Sequence, residues 1–556
     1  MKYSFTWKKY HRWFGLVLSI FMLVFCVSGI ILNHREAFSG CEVNRKWLPS
    51  SYHIKNFNNG IVKGTVGKNR NVANRFSVRM LDAERSDSIL VYGCAGVFLT
   101  DSQLSTWQDF NAGLPESIDE RNIRHIVKSK DGSLWCAALR DVYRYDEGKT
   151  SWKKVVLPDN EERIMDVTLS KDSMQVIALT RSCVYTIASS GENGVVGDAP
   201  QNQCVTKKHL LKSPLGYEPK TTLFKVVWHL HSGEFFGLPG KLVVDGIALV
   251  LIVLSVTGII LFILPYGIRR AKRFAERVQM KRLGRQFAWN MKWHNKIGYV
   301  TIVLTFWIAI TGMCLRPPLM VPLVLGKLPQ SVGADGNVWQ DKLRAIRWDA
   351  AHGDWLVSTS DGFLRVDENF SQAPKILAAD ECPKLSPMGV TVWESDGKGG
   401  WIVGSFRGMY RWIPMANDKY QILDYFIGKS SVETSMIPIS DNLICGYSED
   451  FFGGKPLVFD FAKGVENAKG KAVVIGNYVK KTSTNEDSMS DLICDIAPMS
   501  LWNVALELHV GRCYSPFLGP LSDLFVFFSG LLIALVLLSG YIISHRRKKK
   551  AQARLK

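Results

Sequence analysis

Four apolar runs, Trp13–Leu32, Leu242–Leu264, Ile297–Leu315 and Leu521–Ile543, punctuate this chain of 556 residues. Each reaches the ~20 residues an α-helix needs to cross the hydrocarbon of a bilayer, so an integral membrane protein with four helical spans is expected. By length alone about three or four domains would fit, and the spans leave two long stretches between them for folding outside the membrane. The first run is longer than the roughly 7–15-residue core of a signal peptide and lacks a small-residue cleavage site, so it is read as a retained helix.

Charge then orients the spans. Lys and Arg number 4 in Met1–Arg12, 10 in Pro265–Lys296 and 7 in His545–Lys556, against one acid, Glu276. These segments carry essentially the whole formal excess of +19 and leave the long loops near neutral. Basic residues crowd the cytoplasmic ends of spans. The expected layout is therefore 1–35 cytoplasmic lead and span one, 36–227 first periplasmic half, 228–264 span two, 265–296 basic cytoplasmic loop, 297–316 span three, 317–505 second periplasmic half, 506–544 span four and 545–556 basic cytoplasmic tail, in a bacterial inner membrane. Basic runs placed between spans speak against nucleic acid as a partner.

The spans repeat. His11 to Gly15 and His11 to Gly29 recur as His294 to Gly298 and His294 to Gly312, and His231 to Asp245 recurs as His509 to Asp523. Thr257-Gly258 and Ser539-Gly540 differ in phase by four residues, about one helical turn. The chain thus reads as a duplicated two-span unit with parallel rather than inverted repeats.

The loops repeat too. A strand, an Asp-Gly turn, a short apolar strand and a third strand follow one another in 107–152 and return around Gly353–Asp367 and Gly399–Trp412, with weaker versions at Asp87–Thr100, Asp172–Thr186 and Asp441–Asp460. Strand centres at Leu90, Trp135, Val176, Trp355, Ile402 and Leu443 give a period in the range of propeller blades. The expected fold is a membrane α-helical four-span bundle plus an all-β periplasmic β-propeller of about six to eight blades built from both loops; the alternative is two separate small β domains. FNAGLP, DGSLW and DVYRYD within 107–152 resemble the repeat of two-component-regulator-type propellers, which supports the fold and says little about ligand.

Of 11 histidines, His11, His34, His229, His231, His294, His509 and His545 lie near span ends. Any one of them could be a solvated interfacial side chain. The repeat changes that reading, because His11 with His294 and His231 with His509 occupy equivalent positions in the two copies, one pair at each face. Paired imidazoles from two helices at one depth are what a six-coordinate haem iron needs, and Gly15, Gly29, Gly298 and Gly312 would let a macrocycle or a neighbouring helix come close. These four histidines are the expected haem ligands, with His34, His229 and His545 as reserves; two haem b groups would form an electron path across the bilayer. A zinc centre wants three or four ligands at one depth, which pairs at opposite faces do not provide. Asp245 and Asp523, placed a few turns into spans two and four, are candidates for proton coupling, since a carboxylate in a span is costly and marks either function or a buried partner.

HRWFGL with SGIIL, LHSG with TGIIL, HNKIG with TG, and LHVGR with SG together resemble the PepSY-associated transmembrane-helix family, some members of which are haem-containing inner-membrane reductases of ferric siderophores. The resemblance covers the membrane part, about a quarter of the chain. It implies a haem-b reductase acting on ferric iron or a ferric chelate. The large loops depart from the small domains of that family, which leaves the substrate open.

No Walker motif or strand-bound Gly-x-Gly-x-x-Gly is present, so no built-in flavin or nicotinamide site is expected; Gly191–Gly194 reads as a turn. G-x-S-x-G and H-E-x-x-H are also missing, which argues against a serine hydrolase or a zincin. Electrons would come from a quinol or a separate cytoplasmic donor, and a periplasmic acceptor or partner protein would dock on the propeller. The competing reading is a non-enzymatic membrane-anchored propeller that senses or scaffolds, and a weaker one is transport. Cysteines number 11, without metal-site spacing. Several fall in strand-like runs, where a buried free thiol is the ordinary state.

Overall fold

The computed structural model describes residues 2–67, 88–104, 106–189, 204–330, 332, 335–415, 419–428, 442–471 and 497–553. They form two compact units, one of Met1–Cys41, Lys220–Gln330 and Leu501–Lys556, the other of Glu42–Pro219 and Ser331–Ser500.

The first unit is helical: α1 Lys2–Asn33, α2 Leu223–Ser232, α3 Gly237–Arg273, α4 Arg277–Val300, α5 Ile302–Cys314, α6 Leu501–His509 and α7 Ser522–Ala553, besides shorter turns. Trp7–Asn33, Glu234–Arg273 and Arg512–Lys549 are long and apolar enough to cross a bilayer, and α4 with α5 makes a fourth such stretch if the pair, bent by 68°, counts as one. Span three is therefore not the straight helix that its apolar run implied. At the break the Thr301 hydroxyl donates to the Ile297 carbonyl at 2.9 Å and that of Thr305 to the Thr301 carbonyl at 3.1 Å. Such back-bonding competes with the helical ladder and accompanies bends. The basic stretch 265–296 is also mostly helix, shared between the end of α3 and α4.

On α3 the burial pattern is that of a membrane helix. It buries Asp245, Ser255 and Thr257 among Ile247, Leu251 and Leu254, while Leu249, Val253 and Val256 face outward. Apolar side chains on the outside need lipid around them.

The second unit consists of six small antiparallel sheets, five of four strands and one of three among the described residues, plus the two-stranded pairing of Glu42–Val43 with Met499–Ser500. The first strands of the six sheets are Gly64–Val66, His125–Lys128, Ile164–Leu169, Leu343–Asp349, Val392–Ser395 and Ile444–Ser448. In the second strands, period-two alternation sends neighbouring residues to opposite faces. Ile89 and Val91 join a cluster with Leu457 and Phe459 of the sixth sheet, whereas Leu90 and Tyr92 join Ile126 and Cys136 of the second. Trp135 and Ala137 then pack on Val176 and Ala178 of the third, and Ile177 and Leu179 on Ile346 and Val357 of the fourth. Leu356 packs on Trp393 and Val403 of the fifth, and Ile402 on Ile444 and Val458 of the sixth.

Six apolar clusters thus lie between six sheets, and the succession returns to its start. Polar links between first strands or their flanking residues follow the same circuit. Lys63 donates to the Ile123 carbonyl (2.8 Å), His125 to that of Val167 (2.7 Å), and Arg347 to both the Asp166 carboxylate (2.6 Å) and the Trp393 carbonyl (3.0 Å). Thr391 donates to the Ile444 carbonyl (2.7 Å), and the Ser448 and Thr65 hydroxyls meet at 2.7 Å. The ring is propeller-like: separate sheets, each packed against the next, rather than one continuous barrel.

Five of the expected strand centres fall in second strands. Leu443 does not: it precedes the first strand of its sheet, whose second strand is Leu457–Asp460. An unequal loop length shifted the period there. All cysteines among the described residues are free, and Cys136, Cys183 and Cys445 are buried; Cys494 and the turn at 191–194 lie outside the described residues.

Candidate functional site

Two short helices deliver two of the histidines. Thr222 caps α2, its hydroxyl accepting from the Lys225 amide at 3.1 Å, and Gly233 ends it in the left-handed conformation, φ 78°. In the second copy Gly511, φ 85°, follows α6 in the same way. Such a residue stops a helix and redirects the chain with little strain only if it is Gly. The glycines of LHSG and LHVGR therefore turn the chain immediately after His231 and His509.

The four principal histidines assemble as two pairs. The rings of His11 and His294 have centroids 6.3 Å apart, and those of His231 and His509 6.1 Å. On α1, His11 and Ser28, which touches His509, are 17 residues apart in one helix, or about 25 Å along the axis. The pairs therefore lie at opposite ends of the bundle.

Every one of these rings is held the same way, by a Ser/Thr-Gly pair on a neighbouring helix. Nδ1 of His11 lies 2.9 Å from the Ser539 hydroxyl, Nδ1 of His294 2.9 Å from that of Thr257, Nδ1 of His231 3.0 Å from that of Thr311 and Nδ1 of His509 2.9 Å from that of Ser28. The following glycines, Gly540, Gly258, Gly312 and Gly29, have their Cα hydrogens toward the ring Cε1. The pairing crosses the helices: His11 on α1 is held from α7, and His509 on α6 is held from α1.

The surrounding oxygens assign the tautomer. Ser539 donates to the Val536 carbonyl (2.7 Å), Ser28 to Val24 (2.6 Å), Thr257 to Val253 (2.7 Å) and Thr311 to Trp307 (3.0 Å). A hydroxyl has one proton, so each must accept from the imidazole. Backbone carbonyls stand beside Nδ1 as well, Val536 at 3.1 Å for His11 and Phe25 at 3.1 Å for His509, with Leu254 and Ile308 in the equivalent places for His294 and His231. This network assigns the Nδ1–H tautomer to all four rings, which leaves the Nε2 lone pair for a ligand. Metal-ligating histidines are prepared this way, the second nitrogen donating to an oxygen.

The spacing suits an ion between two rings. Two metal–nitrogen bonds of about 2 Å each, plus about 1 Å from nitrogen to centre in each ring, separate facing centroids by roughly 6 Å. Among the described residues no group of three or more His, Cys, Asp and Glu is arranged to hold a metal. The donor set is two neutral imidazoles per site, which matches axial haem ligation and not a tetrahedral zinc centre.

The reserve histidines are engaged elsewhere. His34 Nε2 lies 2.6 Å from Asp245, which also accepts from Asn33 at 3.1 Å. His545 stacks on Tyr299 and Tyr541, and His229 lies edge-on to Trp228. Asp523 sits in the first turn of α7 rather than several turns in, and pairs with Arg316 at 2.9 Å. Gly15 and Gly298, singled out with the other small residues, face Val536 and Leu254 instead of a ring. Sequence reasoning found the histidines but not which Ser/Thr-Gly pair holds each one, because an internal repeat gives equivalence and not adjacency.

Comparison with known proteins adds a family and weak structural likenesses. The PepSY-associated TM region matches twice in succession, over residues 4–264 and 262–547. No match was found among curated protein sequences. The extracellular domain of the hybrid two component system BT4673 from B. thetaiotaomicron aligns at 9% identity over 73% of this chain and 32% of that chain, TM-score 0.32. That of BT3049 aligns at 7% over 73% and 39%, TM-score 0.31. The Cps50 (Swd1) β-propeller domain of Myceliophteria thermophila aligns at 10% over 74% and 96%, TM-score 0.31. The chain spans about a third of the length of the first of these, and likenesses at this level decide neither fold nor function.

Proposed function

We propose, for a chain that belongs to the PepSY-associated TM region family, that the helical unit is a four-span bundle holding two b-type haems and passing electrons outward across the inner membrane. The observation that carries this is the twofold recurrence of one device: paired imidazoles with ring centroids 6.3 and 6.1 Å apart, each with a Ser or Thr hydroxyl at Nδ1. His11 and His294 serve the cytoplasmic side, and His231 and His509 the periplasmic side. A haem bound at each pair supplies reversible one-electron exchange.

The chain's own residues do the rest. Ser28, Thr257, Thr311 and Ser539 orient the rings and keep the ligand nitrogens unprotonated. The glycines beside them allow the close approach. The basic ends of α1, α3, α4 and α7 hold both termini in the cytoplasm, where a soluble donor, or a quinol in the bilayer, supplies electrons. The ring of six sheets is a six-bladed propeller built from both loops, which presents a periplasmic acceptor such as ferric iron or a ferric chelate, or docks a partner protein.

The test is a reduced-minus-oxidised visible spectrum of the purified full chain expressed with adequate haem. Two bis-imidazole b-type centres per chain are expected. His11→Ala and His294→Ala should each abolish the same half of the signal, and His231→Ala and His509→Ala the other half. Absence of haem bands would leave the membrane-anchored sensor or scaffold as the reading.

A further inference from the structure

The two copies treat their conserved-by-repeat carboxylate differently. The offset that carries His11 onto His294 carries Asn33 onto Arg316, and the offset that carries His231 onto His509 carries Asp245 onto Asp523. Both equivalent contacts exist: Asn33 donates to Asp245 at 3.1 Å and Arg316 to Asp523 at 2.9 Å. In the second copy the partner is a permanent cation and the Asp523 side chain is 65% exposed. In the first copy the partner is a neutral amide, the Asp245 side chain is 12% exposed, and His34 has been added at 2.6 Å. A fixed ion pair in one copy is replaced in the other by a largely buried carboxylate whose imidazole partner is 32% exposed.

That pair lies near one centre only. His34 follows Ser28, the residue that holds His509, by six positions, or about 9 Å along α1. A unit charge at about that distance inside protein alters proton affinity by on the order of tenfold. The surrounding charges are otherwise occupied. On α3, Lys241, one turn before Asp245, points to Glu234 at 3.7 Å. On the short helix after α1, Arg35 lies over the Trp502 ring at 4.0 Å, and its neighbour Glu36 is exposed.

We infer that His34 and Asp245 are the proton-exchanging partner of the outer, His231/His509 centre. This rests on the redox reading above. With a haem held by His231 and His509 supplying one-electron exchange with the bilayer quinol or cytoplasmic donor, the His34–Asp245 pair would take up one proton from the periplasmic aqueous phase on reduction and return it when the electron passes to the acceptor. The charge of this end of the bundle is then unchanged over a cycle. The Arg316–Asp523 pair takes no part.

The experiment is a redox titration of the full chain in detergent between pH 5.5 and 8.5, the outer centre being the component lost in His231→Ala. A one-electron, one-proton couple moves by about 59 mV per pH unit. A coupling on the order of tenfold gives about half of that slope around the pair's midpoint for the outer centre, and a flatter one is expected for the inner. Asp245→Asn and, independently, His34→Gln should flatten the outer slope with haem content retained, while Asp523→Asn leaves it in place. A flat outer slope in the unaltered protein, or one that survives both substitutions, overturns the inference while the redox reading stands. Absence of haem overturns that reading itself, and with it the inference.

Discussion

A Cβ placed on Gly312 would stand 2.9 Å from Cε1 of His231, and one on Gly540 the same distance from Cε1 of His11. Both rings are pinned at Nδ1 and cannot swing aside cheaply. Gly312→Ala and Gly540→Ala should therefore displace the ligand ring and remove most of the haem at the outer and inner sites respectively. Gly15→Ala and Gly298→Ala meet only Val536 at 3.8 Å and Leu254 at 3.6 Å, ordinary contacts, and should keep full haem content. Pyridine haemochrome assay of the four purified variants checks the contrast, and equal losses in all four would mean that helix packing rather than ring clearance sets occupancy.

The hydroxyls make a subtler claim. Thr311→Val keeps the shape of the side chain and removes the acceptor for the His231 Nδ1–H, leaving only backbone to orient the ring. Loss of an outer-shell partner weakens a metal site by roughly 10–100-fold. Haem titration of the stripped protein should show a loss of that size for Thr311→Val and near-recovery for Thr311→Ser. His231→Ala should show no measurable binding at that site.

Much of this was legible in the chain because membrane helices and blades both announce themselves by period. The apolar runs marked the helices, fixed intervals from His to Gly and Asp marked the duplication, and second strands such as Trp135–Ala137 stood out by their turns. Three things were not legible. Which helix holds which histidine depends on the order of the bundle, so Ser539 could not be tied to His11 by spacing. His34 looked like a ligand because it lies at a span end, but a carboxylate 211 positions away claims it. The bend at Thr301 was hidden because hydroxyl back-bonding leaves an apolar run apolar. The swap of Asn33 for Arg316 was visible in principle: applying the two repeat offsets together pairs each with its aspartate.

In the sheet unit, Arg347 ties three sheets together by bonding Asp166 at 2.6 Å and the Trp393 carbonyl at 3.0 Å. Both residues of the ion pair are buried, with side chains 11% and 6% exposed. Removing one member of such a pair strands the other's charge and costs about 3–5 kcal/mol, whereas replacing both with apolar groups is often near neutral. Asp166→Ala should lower the urea midpoint of the full chain, read by tryptophan fluorescence. The double replacement Asp166→Leu with Arg347→Met should recover much of the loss, and a double variant as unstable as the single one would show that the pair does more than neutralise itself.

Lys63, which bonds the Asn122 side chain and the Ile123 carbonyl, gives the unit a pH dependence of definite sign. Burial, aided by the nearby Arg124 charge, pushes its ammonium down to about 7 from the ordinary 10.5. Above pH 7 the folded chain has released this proton, while the unfolded chain keeps it until about pH 10.5. The unfolded state thus binds more protons across that window, and stability must rise with pH. Below pH 7 the ammonium is charged in both states, and its desolvation weighs fully against folding. Thermal unfolding should show the unaltered chain gaining on Lys63→Met as pH goes from 7 to 9, since only the former sheds the penalty. Parallel pH profiles for the two proteins would mean that Lys63 keeps its proton in the folded state.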